Sequence, residues 1–458
     1  MKKKSVSMLM CLSMVSTLLA GCGKNPAAVP STSANTESSA ASESSEASES
    51  PAASETSTEA EKDQISQKPY DGTEISVLVP VYGDPGEELL KEFEEKTGIS
   101  VIMNAVAWDQ IHDKIVTAAA GKTAAADVME VGSVWVGEFN SAGWLEPVEL
   151  SDEDVSDIGP ISAFTVDEKI VAVPWCNDYR LAFHNKAHFT EAKIEKAPET
   201  WDEVYEACKA IKAAGICEYP FAVPLGAEEA TTTTLLWMAY TKNGNVFHDD
   251  NTLDEAACKD ALAFLDKMFD EGLIDPALVN GTGLDAYNKI LSGEASYIVG
   301  PTKYVQKIAN PEECKCVGDI EPILVPGTDG PAKFTNPFPE ALGINAYSEN
   351  KEAALEFVKW YTSIDVQKEL FAVNGIIPTR TSGISSLIDD GAITYPGQML
   401  EQAERVKTPW PNGIPAYYSE YSNGIYNNMN AMYRGEMDAE AAFTAILEHT
   451  NSVVQNNK

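Results

Sequence analysis

The chain has 458 residues, 70 of them acidic against 33 basic, for a formal net charge of −37. That balance argues against nucleic acid and anionic membrane surfaces as partners. Eight cysteines and five histidines show no metal-ligand spacing, and no cofactor fingerprint is present, so neither a metal nor a cofactor is expected.

The first residues are Met-Lys-Lys-Lys, followed by an apolar segment from Val6 to Ala20. It falls short of the ~20 residues that a spanning helix needs, and its basic start and small-residue end mark a secretory signal, residues 1–21. Leu19-Ala20-Gly21-Cys22 resembles the lipobox of bacterial lipoproteins. The resemblance implies lipidation of Cys22, a palmitate-type anchor and a place on the extracytoplasmic face of a Gram-positive cell membrane. Residues 22–70 then form an acidic, Ser-rich tether with almost nothing to bury, which is expected to stay disordered. Treated as a flexible coil, it reaches roughly 40 Å.

From Asp71 onward the chain is too long for one core, and two domains are expected. Ile75 to Val79 reads as a strand, followed by a turn at Tyr82-Gly83-Asp84 and a helix ending at Gly98. "GISVIMNAV" is the next strand, a helix runs from Asp109 to Ala120, and "ADVMEVG" is a third strand. Alternating strands and helices predict an α/β fold with a largely parallel sheet. Ligands bind at the carboxyl ends of such strands. Tyr82, Asp84, Trp108, Glu130 and Trp135 fall there.

The middle of the chain is more helical. Thr200 and Glu203 form a capping box, and a second helix is capped at Thr252 or Asp254. "EASYIVGPTKY" is a strand ending in a Gly-Pro turn. "ALGINAYSENKEAALEFVKWYTS" reads as a strand, a cap at Ser348 and a helix. The last segment is mostly helical, interrupted by "TPWPNGIPAYY". Cys208 and Cys217 are spaced to pair across a helix end, although free buried thiols are the default. His184 and His188 are four apart, as a helical metal site requires, but no third ligand is nearby.

Taken in order, "LLKEFEEKTGISV", "ADVMEVGSVWVGEFNSAGWLEPV", "AVPWCNDYRLAFHNKAHF", "APETWDE", "ILSGEASYIVGP" and "ALGINAYSENKEAALEFVKWYTS" resemble the family 1 extracellular solute-binding proteins of ABC importers. The similarity is to the branch that takes sugars and oligosaccharides. It implies a type II, two-lobed periplasmic-binding-protein-like fold with a cleft between lobes joined by crossing segments. Lobe 1 is expected at 71–181 with 322–380, and lobe 2 at 182–321 with 381–458. It also implies a monomeric receptor, not an enzyme, that hands a carbohydrate to membrane permease subunits.

A sugar offers hydroxyls to planar polar groups and C–H faces to flat aromatic rings. Besides the five residues above, Trp175, Asn177, Asp178 and Arg180 lie beside the first crossing. The resemblance places Asp178 where relatives hold a hydroxyl-binding acid. Arg180 either braces Asp178 or meets a carboxylate or phosphate on the ligand. Glu228 or Glu229, Gly300, Tyr304, Trp410 and Tyr417 complete the candidates, with Glu229 preferred and Tyr304, Trp410 and Tyr417 as stacking rings. Trp144, Trp201, Trp237 and Trp360 are assigned to structure. Thr302 stands where some maltose binders carry tryptophan. An acidic sugar or a glycerol phosphodiester is the alternative ligand. A two-carboxylate glycoside hydrolase is the reading from a different class.

Overall fold

Ile75, Val77, Leu78 and Val79 are buried in β1 (Thr73–Pro80), near the start of a computed structural model that describes residues 68–458. The signal segment, Cys22 and nearly all of the tether lie outside the described residues. Helix α1 (Glu87–Thr97) stops at Gly98, whose φ of +86° is a left-handed turn that favours glycine. The chain re-enters as β2 (Ile99–Val106), parallel to β1 along its length. The helix expected from Asp109 opens instead as a 3₁₀ turn over Trp108–Gln110 and becomes α2 at Ile111–Ala120. Strand β3 (Val128–Gly132) is buried throughout and parallel to β1. After α3 (Val136–Ser141), β4 (Leu145–Glu146) and α4 (Asp152–Asp157) come a hairpin of β5 (Thr165–Val166) with β6 (Lys169–Ile170), and then β7 (Val173–Cys176).

A second sheet begins at β8 (Arg180–Asn185), followed by α5 (Lys186–Glu191). Helix α6 (Trp201–Ala213) has the expected capping box: Glu203 N–H donates to Thr200 Oγ1 at 3.2 Å, and Thr200 N–H donates to the Glu203 carboxylate at 3.0 Å. Then come β9 (Phe221–Ala222), α7 (Glu229–Asn243) and α8 (Glu255–Asp270), the last capped by Asp254 rather than Thr252. Helix α9 (Gly283–Ser292), β10 (Tyr297–Pro301), α10 (Tyr304–Lys307) and β11 (Ile320–Ile323) complete this part.

The chain returns to the first sheet as β12 (Glu340–Asn345), followed by α11 (Lys351–Tyr361), α12 (Ile364–Asn374), α13 (Thr381–Asp389), α14 (Pro396–Ala403), α15 (Tyr418–Tyr433) and α16 (Ala439–Asn456). Ser348 does not cap α11. Asn350 is the N-cap, and Ser348 Oγ accepts from Asn350 N–H at 3.0 Å and donates to Asp127 at 2.6 Å. That hydroxyl ties the loop before β3 to the start of α11.

The first sheet has the order β2-β1-β3-β12-β4, with β7 also paired to β12; the second is β11-β8-β10-β9. β12 runs antiparallel to β3 and is the sheet's long-range insertion. The expected lobe boundaries at 181/182 and 321/322 each cut a strand of the second sheet, since β8 and β11 belong to it over their whole length. One apolar cluster joins Ile75, Val77, Phe93, Trp175, Phe357 and Tyr361 beneath the first sheet. A larger cluster covers the other face and continues through the second sheet to α7, α8, α15 and α16.

Cys176, Cys208, Cys217, Cys258, Cys314 and Cys316 are all free thiols, so Cys208 and Cys217 are not bonded. His184 sits on β8 and His188 on α5, not on one helix, and His188 Nδ1 lies 2.8 Å from Ser296 Oγ. Among the described residues no group of three or more His, Cys, Asp and Glu is placed to hold a metal, and no helix is long and apolar enough to cross a membrane.

Candidate functional site

Asp178 lies between β7 and β8, where the chain leaves one sheet for the other. Its Oδ2 accepts from Arg180 Nη1 at 2.5 Å, and its Oδ1 accepts from Thr302 N–H at 2.9 Å and Thr302 Oγ1 at 3.0 Å. Arg180, 7% exposed, places its guanidinium 4.2 Å from the ring centre of Phe338 and 5.9 Å from that of Tyr287. A buried charge needs a partner and hydrogen bonds, and Asp178 supplies both. Arg180 Nε has no protein partner. Arg180 is paired with Asp178 in this structure. Asn177 beside it donates its N–H to Ile377 O at 3.0 Å and accepts from Thr302 at 3.3 Å through its carbonyl.

A second group faces this pair from the first sheet. Glu130 on β3 is 0% exposed; one oxygen accepts from Trp175 Nε1 at 2.9 Å and the other has no partner. Burial pushes its carboxyl well above the usual range, and the neighbouring Glu340 adds to the shift. Glu340, at the start of β12, accepts from Tyr82 OH at 2.9 Å. Burial raises it too, against the Lys303 ammonium, which holds it down. Lys303 follows β10 of the second sheet, and its Nζ lies 3.1 Å from the ring centre of Tyr82 in the first. Burial depresses the Lys303 ammonium, partly offset by Glu340. Burial in so dry a place disfavours the charged form of both carboxyls.

Aromatic rings gather farther along. Trp108 is half-buried and stacked on Trp135, with centroids 4.5 Å apart at 24°. His112 on α2 packs on Trp135 and Phe139, and its Nε2 lies 3.0 Å from Glu138 of α3. Ser419 of α15 donates to the same Glu138 oxygen. At the start of α7, Glu229 accepts from Tyr418 OH, and from Ser422 Oγ at 2.5 Å. Burial lifts Glu229 to about 7 despite these bonds. Glu228 accepts from Gly283 N–H and is also raised by burial to about 7.

The expected residues thus separate. Tyr82, Glu130, Trp175, Asn177, Asp178 and Arg180 converge at the crossing. Trp108 and Trp135 pair with each other, while Glu229 opens α7 and half-buried Tyr417 lies one residue before α15. Asp84 instead holds its own turn, accepting from Gly86 N–H at 2.9 Å. Gly300 is buried in β10, and Tyr304 is 1% exposed with its hydroxyl on Asn288, so it packs into the second sheet's core. Trp410 is 5% exposed and stacked on Phe247 at 3.8 Å, with its other sides on Tyr418 and Tyr421. These two rings are core members here, because an apolar wall is available for each to cover.

Glu340, Lys303, His112, Glu138 and Ser419 were not anticipated. An acid opening the otherwise apolar strand "EALGIN" was a visible signal for Glu340. Depressions of about 440 Å³ between α8 and α16 and about 580 Å³ beside α2 include none of these residues.

Residues 81–368 match the family model described as bacterial extracellular solute-binding protein. A probable amino-acid ABC transporter periplasmic-binding protein of Sinorhizobium fredii is 22% identical, over 69% of this chain and 75% of its own. The erythritol/L-threitol-binding protein of Mycolicibacterium smegmatis is 25% identical, over 68% and 71%. A maltose-bound MalE3 from T. maritima superposes with a TM-score of 0.75 at 23% identity, over 83% of this chain and all of that one.

Proposed function

Because the chain belongs to the bacterial extracellular solute-binding proteins, we propose that it captures a neutral carbohydrate, an oligosaccharide or polyol, for an ABC importer. The observation that carries this reading is the composition of the ground between the sheets. Half-buried Trp108, backed by the buried ring of Trp135, and hydrogen-bonding carboxyls lie there, while Arg180 is already neutralised by Asp178 at 2.5 Å. Flat rings suit sugar C–H faces, and carboxyls suit hydroxyls. The maltose held by T. maritima MalE3 and the erythritol or L-threitol taken by the M. smegmatis relative point the same way.

The pairing of Arg180 speaks against the alternative of an acidic sugar or a glycerol phosphodiester, whose anion would have to compete with a buried carboxylate. The receptor works by hinge closure: ligand bridges the lobes and stabilises the closed form, which the permease subunits then engage. Lobe 1 is assigned to 71–179 with 324–380, and lobe 2 to 180–323 with 381–458, so that no strand is cut. Cys22 carries the lipid anchor, the acidic tether holds the monomeric receptor near its permease, and no catalysis is involved.

The test is a thermal-shift and calorimetric panel of maltose, maltotriose, erythritol, ribitol, glucuronate, glycerol phosphodiesters and amino acids. A neutral sugar or polyol is expected to raise the melting temperature. A response confined to amino acids or anions, or hydrolysis of any glycoside, overturns the reading.

A further inference from the structure

The two lobes also touch where α3 meets the start of α15, and the contact is chemically specific. Glu138 of α3 binds His112 from its own lobe at 3.0 Å and Ser419 from the start of α15, with Ser419 Oγ also 3.3 Å from His112 Nε2. One carboxylate oxygen therefore gathers partners from both lobes. Burial would raise the Glu138 carboxyl, but the bonds from His112 and Ser419 prevail and hold it below its usual range. The carboxylate is the form the contact requires.

Backbones meet beside it. A Cβ added at Gly137 would lie 3.0 Å from Ala416 N, 3.1 Å from Ala416 Cα and 3.1 Å from Ile414 O. The proline-broken loop before α15 therefore rests directly on the bare face of α3. The same three side-chain types occur in hydrolases, but the wiring differs. A relay needs the hydroxyl and the acid hydrogen-bonded to opposite ring nitrogens; here Ser419 and Glu138 both lie at Nε2, and the exposed Asp113 carboxylate stands 3.8 Å from Nδ1, beyond hydrogen-bond reach.

We propose that Gly137, Glu138 and His112 on one lobe and Ala416 and Ser419 on the other form a clasp that sets how often the empty receptor is closed. Apparent affinity scales with the fraction of competent conformer, so the clasp tunes affinity through that fraction. Ser419 and Gly137 are positioning residues in this sense.

The experiment uses the full ligand-free chain, so it does not depend on the identity of the solute. Ser419→Ala removes the cross-lobe donor. Gly137→Ala adds one methyl group at the contact, while alanine should favour the helix itself. Small-angle X-ray scattering is expected to show a larger radius of gyration for both variants, with melting temperatures close to wild type. For Ser419→Ala the closed-to-open ratio should fall by roughly ten- to a hundredfold, the usual worth of a hydrogen bond to a charged group. An unchanged radius overturns the clasp, as does a lowered melting temperature without expansion, which would make the contact merely structural. Failure of the sugar panel leaves this outcome unaffected.

Discussion

Asp178 and Arg180 are two apart on an extended segment, and their pairing was one of two roles the sequence left open. What the sequence could not supply was the third party. Thr302, more than a hundred residues away, closes the other carboxylate oxygen. Asp178→Ala would strand a buried guanidinium, so a loss of about 3–5 kcal/mol in urea unfolding is expected, and Arg180→Met in the same chain should recover much of it. Glu229 gives a pH signature. Its native carboxyl titrates near 7, above the ordinary 4.5, so the native state holds the proton more tightly than the unfolded chain. The stability this gives is complete below about 4.5 and is lost as pH rises through about 7. Glu229→Gln should therefore gain melting temperature relative to wild type between pH 5 and pH 8. A constant difference between the two proteins across that range would contradict the assignment.

At the scale of elements, local chemistry was the most legible part. The capping box of α6 could be read from Thr200 and Glu203 because both partners lie within one turn. Thr200→Ala is expected to cost about 1 kcal/mol of unfolding free energy, measurable by denaturant titration. The cap of α11 was misplaced for an instructive reason. Ser348 is a good capping residue, but Asp127 and the Asn350 amide claim its hydroxyl, and a tertiary partner outranks a local preference. Trp410 failed similarly. An aromatic loop between prolines suggests a platform for ligand, and only the position of Phe247 shows that the ring is already covered. Glu340 and Lys303 were missed because each acquires meaning from the opposite sheet, a relation that hydrophobic periodicity cannot express.

For the whole molecule, the ordered motifs indicated a two-lobed fold, and the superposition on MalE3 agrees. The strand boundaries of β8 and β11 were hidden because polar residues lie inside both strands, Arg180 and His184 in β8 and Glu321 in β11, so local polarity does not mark where either begins. A ligand that bridges the lobes at a hundred times its dissociation constant should stabilise the protein by about 2.7 kcal/mol, visible as a melting shift that grows with concentration. The position of β12 has a further consequence, for the order in which the protein can be completed. β12 lies between β3 on one edge and β7 and β4 on the other, yet it is made some two hundred residues after β3. Pairings so distant in sequence are slow to form. A chain emerging from its N-terminus therefore holds its first sheet open until residues 340–345 arrive. A fragment ending at Ile323 should fail to build that sheet, and the full chain stays pliable for most of its synthesis.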